Sequence, residues 1–87
     1  MPRVRVRVPA ALRALAGGAA ALDVEGRTLG DALHALGPLT PRVLDDAGNV
    51  RRHVHVFVNA AATRALDAPL AEGDIIHVLP AVSGGSS

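Results

Sequence analysis

The chain opens on strict alternation. In Arg3-Val4-Arg5-Val6-Arg7-Val8 a period of two puts the valines on one side of a strand and the arginines on the other. Pro9, with no N–H to give to a ladder, ends it. Residues 10–16 carry Leu12 and Leu15 in a short helical stretch that stops at Gly17-Gly18. Residues 21–25 read as a second strand with Leu22 and Val24 on one side, and Gly26-Arg27 as the turn after it. Leu29, Ala32, Leu33 and Leu36 then follow the i, i+3, i+4, i+7 spacing of one apolar helix face. Thr28 is its N-cap, Asp31 stands where a capping box has Glu or Gln, and Gly37-Pro38 closes it. Residues 38–50 read as a loop with Val43 and Leu44 tucked beneath it.

The strongest strand signal is residues 53–59, where Val54, Val56 and Val58 alternate with His53, His55 and Phe57. Residues 60–71 are alanine-rich, with Leu66 and Leu70 as anchors, and Glu72-Gly73-Asp74 is a turn. Residues 75–79 form the last strand, Ile76 and Val78 inward, Ile75, His77 and Leu79 outward. The order strand, short helix, strand, helix, long connection, strand, strand predicts an α+β fold with a helix across one face of a mixed sheet. Parallel pairing of the first and last strands would gather Arg3, Arg5 and Arg7 with His77, Leu79, His55 and Phe57 on the other face. Apolar and cationic side chains together on an open face are the composition of a partner-binding patch. The final Pro80-Ala81-Val82-Ser83-Gly84-Gly85-Ser86-Ser87 has no folding pattern. Residues 1–80 are therefore expected to form the domain and 81–87 a flexible tail.

Composition narrows the function. Of 87 residues 49% are hydrophobic, but 17 of these are alanine, which leaves material for one small core. A chain of this length hides only roughly 60–65% of its unfolded surface, so function is expected on a surface or at a terminus. The chain has no Cys, which excludes a disulfide framework, a thiolate metal site and a cysteine nucleophile, and suits a reducing cytoplasm. No apolar run approaches a bilayer span, and Met-Pro-Arg-Val-Arg lacks the apolar segment of a secretory signal. Nine Arg stand against eight acids for a net charge of +1, so neither nucleic acid nor membrane is the expected partner. There is no Lys, hence no side-chain amine on this chain for isopeptide attachment.

Little else in the sequence is catalytic in type. None of the hydroxyls Thr28, Thr40, Thr63, Ser83, Ser86 and Ser87 lies in a nucleophile-elbow context. His53, His55 and, from a neighbouring strand, His77 are of the type that binds Zn²⁺ or Ni²⁺. The simpler reading is a titratable surface row, and no metal is expected. Asp45-Asp46 reads as a solvated loop pair. The Arg triplet suits phosphate contact and, more simply, a soluble face that guards against edge aggregation. Gly84-Gly85 taken alone is an ordinary feature of flexible tails.

In combination these segments resemble a known family. Phe57-Val58-Asn59, Leu70-Ala71-Glu72-Gly73-Asp74 and the run from Ile76 through Leu79-Pro80-Ala81-Val82-Ser83-Gly84-Gly85 resemble the C-terminal half of the MoaD/ThiS sulfur carriers. Val8-Pro9-Ala10-Ala11-Leu12-Arg13 with Gly17-Gly18, and the helix start Thr28-Leu29-Gly30-Asp31, are similar as well. Within the family the likeness is to the CysO-type branch, and it covers nearly the whole chain. The resemblance implies a β-grasp, ubiquitin-like fold, with a mixed four- to five-stranded sheet and one main helix across it.

It also implies a function: a protein co-substrate, itself no enzyme, that carries sulfur on its C-terminus. An E1-like adenylyltransferase of the MoeB/ThiF type, with or without a rhodanese domain, would use ATP and Mg²⁺ to adenylate Gly85, and a sulfur source would convert the acyl-adenylate to a thiocarboxylate. Glycines at 84 and 85 suit passage through a narrow channel, because they lack Cβ. No cofactor is expected on the chain itself. In family members that are adenylated the second glycine is terminal, whereas Ser86-Ser87 follow it here. The reading taken is removal of both serines by a JAMM-type metalloprotease; otherwise they are an addition to the natural sequence, or this member is inactive. Arg5, Arg7, Phe57, His77, Leu79, Pro80, Ala81 and Val82 are the expected partner contacts. The sulfur acceptor stays open between a PLP-dependent synthase and a thiazole-synthase-like enzyme. Alternatives are a MoaD-type small subunit of molybdopterin synthase and a ubiquitin-like protein modifier.

Overall fold

Val4 and Val6, each 1% exposed, lie near the middle of a five-stranded sheet in the computed structural model, which describes residues 1–80. The Arg/Val alternation builds strand β1 (Arg3–Arg7), whose valines reach the core and whose arginines reach solvent. Residues Ala10–Ala16 then turn as a 3-10 helix, and Gly17 and Gly18 adopt φ of +67° and +86°. Only glycine takes two such angles in succession without strain, and this reversal lets β2 (Ala21–Glu25) return antiparallel to β1.

The helical layer is in pieces. Helix α1 (Leu29–His34) is capped by Thr28, whose Oγ1 accepts from the Asp31 N–H at 3.2 Å. Asp31 completes a variant of the expected capping box: its carboxylate accepts from the Arg27 N–H at 3.1 Å. Gly30 donates to the Leu66 carbonyl at 2.8 Å, and a Cβ there would sit 3.1 Å from that oxygen. The segment expected as a loop after Gly37 is partly helical: a 3-10 turn (Gly37–Leu39) leads into α2 (Thr40–Val43). Pro38 and Pro41 occupy first-turn positions, where a missing N–H costs nothing. The Thr40 hydroxyl donates to the Leu33 carbonyl at 2.7 Å, tying the second piece to α1. Val43 and Leu44 are buried, as expected.

Strand β3 (Val54–Val58) is followed by a two-residue turn and a short β4 (Ala61–Ala62), which the sequence reading had not separated from the alanine-rich stretch. Strand β5 (Ile75–Pro80) runs one residue further than expected. The sheet order is β2-β1-β5-β3-β4, with β5 parallel to β1 and antiparallel to β3. This is the β-grasp arrangement. Val4, Val6, Val54, Val56, Ile76 and Val78 meet Leu29, Leu33, Leu36, Leu39 and Val43 in one core. Among the described residues no polar or charged residue is buried. No helix among them is long and apolar enough to cross a membrane.

Candidate functional site

The central strand that carries the chain toward its C-terminus is β5, held on both sides by β1 and β3. On the sheet face opposite the helices, cross-strand register places Arg7 beside His77 and His77 beside Phe57. Leu79, 48% exposed, lies opposite His55, and Ile75, 38% exposed, opposite Arg5. The parallel pairing and the mixed cationic and apolar face therefore stand as expected. Pro80 differs: it pairs with the buried Val54 and lies on the other side of the strand from Leu79. Ala81, Val82, Gly84 and Gly85, together with the expectation of a flexible tail over 81–87, lie outside the described residues.

The arginine row is not a uniform cationic stripe. Arg5 Nε sits 3.1 Å from Asp23 and Arg3 is 3.8 Å from Glu25, both across the β1–β2 ladder. Arg7 has Ala21 opposite it instead of an acid. Two of the three charges are thus offset by neighbours, which weakens the phosphate-contact reading. The three-imidazole arrangement does not form: among the described residues no group of three or more His, Asp or Glu is placed to hold a metal ion.

Two clefts flank the end of β5. On the open-face side Arg7, Arg13 and His77 line one of about 170 Å³ with Leu79. On the other side Arg42, Arg51 and His53 line one of about 560 Å³ with Leu12, Pro41 and Pro80. Arg13, Arg42 and Arg51 are not among the partner contacts expected from the sequence. A signal was present, because antiparallel pairing of β3 with β5 brings the start of β3, after Arg51-Arg52-His53, beside the end of β5.

The far end of β5 is fixed by a polar lock. Asn59 Nδ2 donates to the Asp74 carboxylate at 2.8 Å, and Asn59 Oδ1 accepts from the Ile75 N–H at 2.9 Å. The second Asp74 oxygen accepts from the Ala71 N–H at 2.8 Å. That backbone hydrogen bond first, and the Asn59 amide second, hold the Asp74 carboxyl below the usual aspartate range, against the opposing effect of burial. Val58-Asn59 and Gly73-Asp74 are therefore structural features that start β5 in register.

Comparison with known proteins now bears on this geometry. The ThiS family profile matches residues 6–85. Sulfur carrier protein CysO of Mycobacterium tuberculosis is 33% identical over 91 aligned positions, covering 94% of this chain and 98% of CysO. Its crystal structure superposes with a TM-score of 0.83 at 32% identity, over 91% of this chain and 99% of that one. Small archaeal modifier protein 1 of Haloferax volcanii is 42% identical over 69 positions, 74% of this chain and 78% of the relative. The Amycolatopsis orientalis BexX/CysO complex contains a chain similar at TM-score 0.86 and 28% identity, with 94% and 99% covered. The fold, the placement of the motifs and a match across nearly the full length agree: this chain belongs to the ThiS family, as a MoaD/ThiS-type β-grasp protein that resembles CysO.

Proposed function

We propose that this protein is a sulfur carrier that, once it ends at Gly85, bears a C-terminal thiocarboxylate. The observation that carries the reading is the family match, which runs to Gly85 and leaves Ser86-Ser87 outside it, on a fold whose central strand leads into that segment. The names of relatives similar over 94% and 74% of this chain support the coarser statement, a ubiquitin-like carrier or modifier acted on by enzymes.

The chemistry follows from the group. A carboxylate is a poor electrophile, and in this chain the Gly85 carboxyl is an amide to Ser86. Hydrolysis of that bond, the task of a JAMM-type metalloprotease, frees the carboxylate. An oxygen of it then attacks the α-phosphorus of Mg-ATP on an E1-like adenylyltransferase and releases pyrophosphate. A sulfur nucleophile displaces AMP from the acyl-adenylate, so one hard substitution becomes two easier ones. Phe57, Leu79 and Pro80 supply apolar contacts to the enzymes, and Arg5, Arg7 and His77 supply polarity. One relative is solved in complex with a protein named BexX, which supports docking of the carrier on a partner protein.

The test is an intact mass of the protein ending at Gly85 after incubation with adenylyltransferase, ATP and a sulfur donor. A second reading, protein conjugation through Gly85, is favoured by the 42% identity to a modifier protein. Higher-mass conjugates that persist under denaturing, reducing conditions would select it.

A further inference from the structure

The net charge of +1 hides a polarised molecule. Asp23, Glu25, Glu72 and Asp74 lie at the end where β1 and β5 begin, two of them already paired with Arg3 and Arg5. At the opposite end, where β5 finishes, the two clefts flanking Leu79 and Pro80 are lined by Arg7, Arg13, Arg42, Arg51, His53 and His77. Among the described residues no acidic one lines either cleft.

Two of these cations are held in place without being neutralised. Arg51 Nε donates to the Pro41 carbonyl at 2.7 Å and Arg13 Nε to the Val8 carbonyl at 3.2 Å. A guanidinium has five N–H donors, so each keeps its terminal amino groups for an outside acceptor. Arg7 and Arg42 make no side-chain hydrogen bond or ion pair among the described residues.

We propose that this cationic rim around Pro80 docks an acidic surface of the enzyme that receives the C-terminus, an inference that rests on the sulfur-carrier reading. Gly85 lies five chain steps beyond Pro80, and an extended chain covers at most about 3.5 Å per residue. Whatever grips Gly85 therefore keeps its own surface within roughly 18 Å of the rim. At that range opposite charge accelerates encounter and penalises wrong partners. Leu12, Pro41 and Pro80 give the larger cleft an apolar floor for a side chain set among the acids.

An oligoglutamate peptide titrated into the isotopically labelled chain, followed by backbone amide shifts, tests this without any adenylation chemistry. Shifts are expected at Arg7, Arg13, Arg42, Arg51, His53 and Leu79, weakening as salt is added. Arg42→Glu and Arg7→Glu are expected to lower affinity about tenfold at low ionic strength. Arg27→Glu, the same charge change at the distant start of α1, should leave it nearly unchanged. Shifts centred on β2, or equal losses in all three variants, would overturn the proposal. So would tighter binding of a short single-stranded oligonucleotide at the same amides, or concentration-dependent sedimentation that Arg42→Glu abolishes, which would make the occupant the acidic end of a second copy. A chain that binds peptide at the rim yet gains no sulfur would sink the carrier reading alone.

Discussion

Asn59 and Asp74, fifteen residues apart, are joined by a 2.8 Å hydrogen bond that locks the turn after β3 to the start of β5. The amide also serves the Ile75 N–H, and the Asn59 backbone N–H donates to the Ile75 carbonyl at 2.8 Å. Asn59 adopts φ of +50°, a region that asparagine tolerates better than most residues. Asn59→Ala is expected to cost about 2–3 kcal/mol, combining lost hydrogen bonds with left-handed strain. Asn59→Gly keeps the backbone freedom and should cost less; denaturant melts of both variants check the split.

The same lock sets an acid limit. The folded Asp74 carboxyl titrates below its unfolded value, held down by the Ala71 N–H and then by Asn59. Its contribution is therefore fully present above the unfolded pKa of about 3.9 and is lost as pH falls through the lower folded value. Thermal melts from neutral pH downward should show a stability loss in that acid range that is shallower in Asp74→Asn.

Ala60 follows Asn59 with φ of +75° in a turn that joins Val58 to Ala61. Two-residue hairpin turns of this kind favour glycine at the second position. Ala60→Gly is expected to stabilise the fold by about 0.5–1 kcal/mol. A lower melting midpoint in that variant would contradict the turn geometry.

Phe57 is half-buried on the open face and Val56, 2% exposed, is in the core. Phe57→Ala should change folding stability by less than about 1 kcal/mol but cost roughly 2 kcal/mol or more in adenylyltransferase binding. Val56→Ala should instead cost about 2–3 kcal/mol of stability. The two variants, melted and titrated side by side, read the strand register directly.

Arg64 donates to three carbonyls, those of Val54 and Val50 at 2.7 Å and of Arg51 at 2.8 Å. Arg64→Met, which keeps much of the stem, should cost about 1–2 kcal/mol and speed amide exchange around residues 50–54.

Alternation made the strands legible: the inward valines of β1 and β3, Ile76 and Val78 of β5, and the parallel pairing of the first strand with the last follow the expected pattern. The broken helix was harder to see, because α1 stops at His34 with Ala35 as its C-cap, short of the Gly37-Pro38 pair expected to close it, and that pair opens the next helical piece instead. Asp23 opposite Arg5 could be found only with the β1–β2 register in hand, so the arginine row looked more cationic than it is. Arg64 gave no pattern at all; its role depends on three carbonyls that only the folded loop brings together.

The central claim is that Gly85, as the terminal residue, holds sulfur. Intact mass spectrometry of the chain ending at Gly85, after reaction with an E1-like adenylyltransferase, ATP and a sulfur donor, addresses it most directly. The account predicts replacement of one oxygen by sulfur, located at Gly85 by fragmentation and absent from the chain that keeps Ser86-Ser87. An unchanged mass from an enzyme that adenylates and sulfurates another carrier in the same assay would contradict it.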